Sequence, residues 1–230
     1  MFESKSGIFF IAGLAFFIFA FIVMGLLPWT MYRDQPEVPV DQLAERGLPP
    51  DFVHLAEMFP KQFAEYFGKP SAKSFAEAVE LGKEIYVAEA CWHCHSQFVR
   101  PVSREDIRWG PVAHAREYNN ALQRPVLFGT RRVGPDLSRE AGRRPNDWHV
   151  AHFFRPVDVV PVSVMPSYPW LFDENHVPNK RGMGLITYVQ WLGSWLDEYP
   201  DYERERKTPD DEPATDERPS GGTKVGDSKS

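Results

Sequence analysis

Cysteine is scarce in this sequence, which carries it only at positions 91 and 94 among 230 residues. A structural zinc site needs four ligands, and no second cysteine pair is present to supply them. A thioredoxin-like redox pair would follow a strand, whereas the residues before Cys91 have a helical pattern. The spacing also makes a very tight loop for a disulfide. The scarcity therefore argues against all three of these roles.

The two cysteines belong to the pentapeptide Cys91-Trp92-His93-Cys94-His95. Two thiols three positions apart on one helical turn can add to the two vinyl groups of a haem. The histidine that follows can then bind the iron as an axial ligand. We therefore predict one covalently bound haem c, attached through Cys91 and Cys94 and ligated by His95.

A long apolar run lies near the N-terminus, where every residue from 8 to 27 is apolar or glycine. At about 1.5 Å per residue in a helix, this run spans roughly 30 Å, the thickness of a bilayer's hydrocarbon layer. A cleaved signal peptide has a shorter apolar region, of about 7 to 15 residues, and a small-residue cleavage site. Trp29 and Tyr32 follow instead, and such rings favour the membrane interface. The run therefore predicts a retained anchor over residues 1–32.

The charges beside the anchor do not set its orientation, because Lys5 is offset by Glu3 and Arg33 by Asp34. Haem c is attached outside the cytoplasm, so a chain that carries it should present its main domain to the periplasm. We therefore predict a single-pass protein of the bacterial inner membrane, with its N-terminus in the cytoplasm.

Charge is unevenly distributed along the chain, whose formal net charge is −6. Residues 197–230 hold 11 acidic and 6 basic groups and few apolar residues, which predicts an acidic disordered tail. Residues 100–155 hold 11 arginines against 6 carboxylates. Arginine suits bidentate pairing with carboxylates, which could be haem propionates or a partner's acidic groups. Nucleic-acid binding is not expected of a chain with a membrane anchor.

The remaining residues predict a proline-rich tether with short helical turns (33–73) and the cysteine-bearing domain (74–196). Ser74 and Glu77 match a capping box, which predicts that a helix starts there. A second helix is predicted over residues 182–195. The first helix has a glycine in its apolar stripe and the second has aromatic residues, so the two can cross closely. The two stripes are Phe75, Val79, Gly82 and Tyr86, and Leu185, Tyr188, Leu192 and Trp195.

Two terminal helices that cross over a haem-bearing loop resemble the class I cytochrome c fold, a mainly α fold. In that family a Gly-Pro-x-Leu stretch supplies a proline carbonyl that accepts a hydrogen bond from the proximal histidine, and Gly134-Pro135-Asp136-Leu137 matches it. The resemblance thus implies that Pro135 orients His95. Met165, followed by a proline, resembles the distal ligand of the family. Met183 is the competing methionine, but its position at the start of the last helix favours a packing role.

His149 and His152 lie three positions apart and therefore on one face of a helix. They could bind a metal or contact the haem. Such pairs are more often hydrogen-bonded where two elements meet, and we adopt this interpretation. His93 points away from the iron if His95 binds it.

Longer strings give a narrower resemblance, to the mono-haem subunit (CcoO or FixO) of cbb3-type cytochrome c oxidases. It covers roughly residues 75–171. Haem ligation in general does not require strings of this kind. The four matching strings are Glu89-Ala90-Cys91-x-x-Cys94-His95-Ser96-Gln97-x-Val99-Arg100-Pro101, Gly129-x-x-Arg132-x-Gly134-Pro135-Asp136-Leu137, Asp147-Trp148-His149-x-x-His152-x-x-x-Pro156 and Val159-Val160-Pro161-x-Ser163-x-Met165-Pro166-x-Tyr168-Pro169-Trp170-Leu171.

This resemblance implies an inner-membrane complex that reduces oxygen. The chain would pass electrons through one haem c towards a haem-copper catalytic subunit, beside other cytochrome c subunits and with a soluble cytochrome as a further candidate donor. His95 and Met165 would both bind the iron, so the isolated chain would not be an enzyme. The segment of residues 172–181 is shorter than in the family pattern, and the tether and tail are longer. These differences are expected to affect the contacts with partner subunits.

Two alternatives remain open at this point. The cytochrome subunit of nitric oxide reductase also combines one anchor with one haem c, although the string from Ser96 to Pro101 argues against it. A gas sensor or enzyme would leave one axial position of the haem open, and carbon monoxide would then bind the reduced protein readily.

Overall fold

The computed structural model describes residues 4–34 and 37–196, and these residues are mainly helical, with no β-strand beyond isolated bridges. The mainly α class predicted from the sequence is confirmed. The predicted acidic tail, residues 197–230, lies outside the described residues. The α-helices are α1 (Ser4–Ala20), α2 (Leu27–Tyr32), α3 (Val40–Glu45), α4 (Pro50–Met58), α5 (Pro60–Phe67), α6 (Ala72–Ala88), α7 (Cys91–Cys94), α8 (Glu105–Trp109), α9 (Asn146–Phe154) and α10 (Lys180–Trp191). Short 3₁₀ helices cover Ala115–Tyr118, Ala121–Gln123, Pro156–Asp158 and Pro169–Leu171.

The N-terminal helix is continuous from α1 through a π-helical stretch (Phe21–Leu26) into α2. Its 28 residues from Lys5 to Tyr32 are long and apolar enough to cross a membrane, and they are not buried by the rest of the described chain. At its carboxyl end the guanidinium of Arg33 lies 5.0 Å from the ring centre of Trp29. An aromatic ring beside a cation is typical of the membrane interface. This helix has the length and composition predicted for the anchor.

The segment after the anchor contains the predicted short helical turns as α3, α4 and α5. Pro50 and Pro60 stand in the first turns of α4 and α5, where proline is favoured because the missing N–H would be unpaired anyway. The ring of Phe52 lies 5.2 Å, edge-on, from the rings of both Phe63 and Phe75. All three rings are buried. The short helices are therefore packed against α6 and share its core.

The helices α6 and α10 cross closely, as the glycine-containing stripe predicted. A Cβ at Gly82 would overlap the carbonyl oxygen of Gly184 and lie 2.5 Å from Cβ of Tyr188. A Cβ at Gly184 would in turn lie 3.2 Å from the carbonyl oxygen of Ala78. The backbones can approach this closely because each helix has a glycine at the contact. Gly184 was not identified from the sequence.

The start of α6 corrects the capping prediction, because the N-cap is Ser71 and not Ser74. The Ser71 N–H donates to Oγ of Ser74 over 2.9 Å, and the Ser74 N–H donates to Oγ of Ser71 over 3.2 Å. Ser71 has the extended conformation that an N-cap requires, and it follows Pro70. Ser74 is therefore the third residue of the helix, and its hydroxyl accepts the hydrogen bond from the N-cap N–H. The helix starts nearly one turn earlier than predicted.

The last helix, α10, is also displaced from its predicted range. Asn179 caps its first turn, because its side chain accepts hydrogen bonds from the N–H groups of Arg181 and Gly182. The helix ends at Trp191, before Gly193, whose φ of 91° is left-handed. A Cβ there would lie 2.8 Å from the carbonyl oxygen of Ser138. The chain thus turns where a distant backbone segment meets it, which no local periodicity records.

Candidate haem site

The two cysteines lie on the single turn of α7. The chain leaves α6 at Ala88 and reverses at Ala90, which has a left-handed φ of 58°. Both cysteines are free and half-buried, and the N–H of His95 donates to the carbonyl of Cys91 over 2.9 Å. Burial, aided by the charge of Glu89, raises the pKa of the Cys91 thiol to about 12. The turn therefore carries two thiols three positions apart, a spacing that allows both to bond the same ligand.

The imidazole of His95 is oriented by the Gly134-Pro135 turn. Its Nδ1 lies 3.0 Å from the carbonyl oxygen of Pro135, which is the contact that the resemblance implied. Burial lowers the pKa of His95, so the ring is neutral at pH 7. A neutral ring that donates through Nδ1 keeps a lone pair on Nε2 for a metal.

The backbone at Gly134 lies directly against the His95 imidazole. A Cβ there would lie 2.6 Å from Nδ1 of His95 and 2.7 Å from Nε2. A side chain other than hydrogen would therefore displace the ring. This role could not be read from the sequence, where Gly134 was only part of a matching string.

A buried ionic network fastens the residues after His95 to those after Gly134. The carboxylate of Asp136 accepts hydrogen bonds from the Ser96 hydroxyl, from the Phe98 N–H over 2.9 Å and from the Ser138 N–H over 2.8 Å. Arg132 lies 3.5 Å from the same carboxylate. Breaking such a buried pair costs about 3–5 kcal/mol. The network holds the histidine and its orienting turn together.

The arginine cluster is partly satisfied by this network. The guanidinium of Arg132, whose side chain is 8% exposed, also lies 2.6 Å from the buried carboxylate of Glu105. Burial disfavours the charge on Glu105, but hydrogen bonds from Arg100 and Arg132 keep its pKa below the usual value. Arg139 pairs similarly with Glu117 over 2.8 Å. These arginines therefore pair with carboxylates of this chain, whereas the sequence analysis considered haem propionates or a partner's acidic groups.

Tyrosine hydroxyls link the same stretch to the crossing helices. The Tyr86 hydroxyl donates to the carbonyl of His95 over 2.7 Å. The Tyr188 hydroxyl donates to the side-chain oxygen of Gln97 over 2.9 Å, and the Tyr118 hydroxyl donates to the Gln97 carbonyl over 2.9 Å. Ser96 and Gln97 therefore have a structural role. The sequence did not reveal it, because polar side chains of this kind are mostly exposed.

Met165 lies on the loop between the last two 3₁₀ helices, half-buried and packed against the core. The N–H of Tyr168 donates to the carbonyl of Phe153 over 2.9 Å, and burial, followed by the nearby Cys91 thiol, raises the pKa of Tyr168. The loop thus reaches the cysteine turn. Met183, by contrast, is completely buried in α10, as expected for a packing residue.

His149 and His152 share one face of α9, but the expectation that they are hydrogen-bonded is wrong for two of their nitrogens. Nε2 of His149 and Nδ1 of His152 are buried without a partner among the described residues. The physical reason is their surroundings. The rings of Trp148 and Phe153 lie against them and accept no ordinary hydrogen bond.

The geometry fits a haem better than a bare metal ion. Within residues 4–34 and 37–196, no group of three or more His, Cys, Asp or Glu side chains could hold a metal ion. The cysteine turn, a histidine whose Nδ1 faces the Pro135 carbonyl and a half-buried loop methionine are instead groups of the kind that a haem c uses.

An apolar helix able to cross a membrane, joined to a helical domain with this cysteine turn, defines the class of membrane-attached cytochromes. The family model of cytochrome c oxidase, mono-heme subunit/FixO, matches residues 54–206, which is two thirds of the chain. The chain belongs to this family, so it is a mono-haem, electron-transfer subunit of a cytochrome c oxidase complex. The narrower resemblance found in the sequence is confirmed. Comparison with curated proteins gave no significant match.

Proposed function

We propose that the chain relays electrons through one covalently bound, six-coordinate haem c towards a haem-copper subunit that reduces oxygen. The observation that carries this proposal is the pair of thiols on one turn beside His95, whose Nδ1 lies 3.0 Å from the Pro135 carbonyl. When bound, the haem supplies reversible one-electron chemistry.

Each residue of the site has a separate role in this proposal. Cys91 and Cys94 would hold the haem through two thioethers, each formed by addition of an S–H bond to a vinyl group. His95 would bind the iron through Nε2, with Pro135 holding that ring in orientation. Met165 would be the other iron ligand.

Filling both axial positions decides what the chain can do alone. A six-coordinate iron leaves no position for a substrate, and a methionine ligand raises the reduction potential. The isolated chain should therefore catalyse no reaction. It would act within the complex, beside other cytochrome c subunits and with a soluble cytochrome as a candidate donor.

The placement of the domain follows from the attachment chemistry. Haem c is attached outside the cytoplasm, so residues 74–196 would lie in the periplasm and the anchor, residues 1–32, would cross the inner membrane once. The packed segment of α3–α5 then connects the anchor directly to the haem domain.

The cofactor content of the complex tests the proposed function. We expect a complex purified through this chain to contain copper in its large subunit and one covalent haem in this chain. A large subunit with non-haem iron and no copper would instead indicate a nitric oxide reductase. Metal analysis and haem staining of the separated subunits distinguish the two outcomes.

Substitution of Gly134 tests the orientation of His95. We expect Gly134→Ala to push the imidazole away and to weaken iron ligation about 10- to 100-fold, the usual effect of disturbing the groups that orient a metal ligand. The optical spectrum should then show a high-spin fraction. Gly13→Ala is the matched control, because a Cβ there meets nothing within 4 Å. An unchanged low-spin spectrum in Gly134→Ala would contradict the assignment of His95.

A further inference from the structure

Helix α9 is held by hydrogen bonds at both ends, and its carboxyl end contacts the loop that carries Met165. The Asn146 side chain donates to the carbonyl of Asp51 over 2.8 Å and accepts from the Gln190 side chain over 3.2 Å. The bond from Tyr168 to the Phe153 carbonyl ties the other end of the helix to the loop that carries Met165. Side chains on the inner face of α9 therefore have defined positions relative to the haem site.

His152 lies on that face in a fixed orientation. Its ring stacks on Trp148, with ring centres 4.4 Å apart and planes at 19°. The guanidinium of Arg144, an exposed residue, lies 5.3 Å from the centre of the same Trp148 ring. This stack leaves the His152 ring little freedom to rotate.

The charge of His95 also affects the pKa of His152. Burial, followed by the charges of His95 and Arg144, lowers the pKa of His152 to about 4. An effect of His95 on His152 requires the two rings to be near one another. The imidazole of His152 is thus neutral at pH 7, so one of its ring nitrogens carries a proton that it can donate.

The Nδ1 of His152 lacks a hydrogen-bond partner among the described residues, although it is buried. A buried polar group left unpaired costs about 1–3 kcal/mol. The bound haem, on which this inference rests through the proposed function, brings two propionate carboxylates, which are strong acceptors. The structure assigns to His152 the role of a positioning residue whose Nδ1–H donates a hydrogen bond to a haem propionate.

His149 lies one turn earlier and deeper, with 2% of its surface exposed. Its own unpartnered nitrogen is Nε2, on the opposite side of the ring from Nδ1. It lies among Trp148 and Phe153, and burial together with the charge of His152 lowers its pKa to about 3. It is therefore the supporting neighbour in this arrangement and His152 the residue that meets the haem.

Three variants of the full-length, haem-loaded protein test this role. His152→Phe keeps a flat ring on Trp148 but removes the donor. His152→Asn returns an N–H group near the position of Nδ1. His176→Asn is the control, because His176 is exposed and its left-handed φ of 62° is one that asparagine tolerates.

We expect His152→Phe to retain its haem but to shift the propionate bending band in the resonance Raman spectrum. Without the hydrogen bond, the full propionate charge should favour ferric iron and change the oxidation equilibrium about tenfold. For one electron this is a fall of about 59 mV in the reduction potential. His152→Asn should restore both values most of the way, and His176→Asn should change neither. Should His152→Phe fail to fold, the wild-type propionate band should still shift in D₂O.

An unchanged propionate band and potential in His152→Phe would overturn the inference. So would a wild-type band that is insensitive to D₂O. Loss of the methionine-linked far-red absorption in His152→Phe, with the propionate band unmoved, would also overturn it, since His152 would then support Met165. Absence of covalent haem from the wild-type chain would instead remove the proposed function itself.

Discussion

Replacing both Cys91 and Cys94 with alanine is expected to leave a chain without covalently bound haem. The two thiols are the only cysteines in the sequence, and they share the one turn of α7. No other side chain can form the thioethers that attach a haem c. After extraction with acid acetone, the wild-type protein should keep its haem colour, and the double variant should be colourless.

Single variants give the matched control for this result. Cys91→Ala and Cys94→Ala each retain one thiol and should keep one thioether, so some haem should remain attached in both. Haem that survives extraction in the double variant would disprove the attachment through this turn. Circular dichroism would show whether the helical fold persists in each variant.

Replacing Met165 with leucine is expected to open one axial position of the iron. The far-red absorption of a methionine-ligated ferric haem should disappear. The reduction potential should fall on the order of 0.1 V, within the span of roughly 0.8 V that axial ligands control. Carbon monoxide should then bind the reduced protein readily, whereas the wild type should bind little or none. Optical titration and the carbon monoxide difference spectrum measure these changes.

Met183→Leu is the matched control for this experiment. Met183 is fully buried in α10, and a volume-conserving change there should cost less than about 1.5 kcal/mol. It should leave the far-red band, the potential and the carbon monoxide response unchanged. If Met165→Leu retained the band and Met183→Leu lost it, Met183 would be the distal ligand, and the loop would have another role.

Much of the local architecture was predictable because its signals lie within a few residues of one another. The apolar run predicted the N-terminal helix, and the spacing of Cys91, Cys94 and His95 predicted a turn that presents both thiols. The position of Gly82 in an apolar stripe predicted the close crossing of α6 and α10. Each of these patterns reports on positions that one helical turn brings together.

The helix ends were less predictable. Ser71 and Ser74 are both good capping residues, and Glu77 favoured the wrong one. The choice depends on the extended backbone after Pro70. The end of α10 likewise depends on Gly193 meeting Ser138, 55 positions earlier in the chain. Local propensity cannot rank two adjacent caps when a distant contact sets the path of the chain.

By itself, the sequence determined the chemical groups available and their local spacing: one anchor-length apolar run, one cysteine turn and a proline-containing stretch matching a known family. The tertiary structure alone decided which distant groups meet. It brought the Gly134 backbone against the His95 ring and Asp136 to Ser96, and it left Nδ1 of His152 buried without a partner among the described residues. These contacts join residues many positions apart, and only the folded path of the loops sets the distance between them.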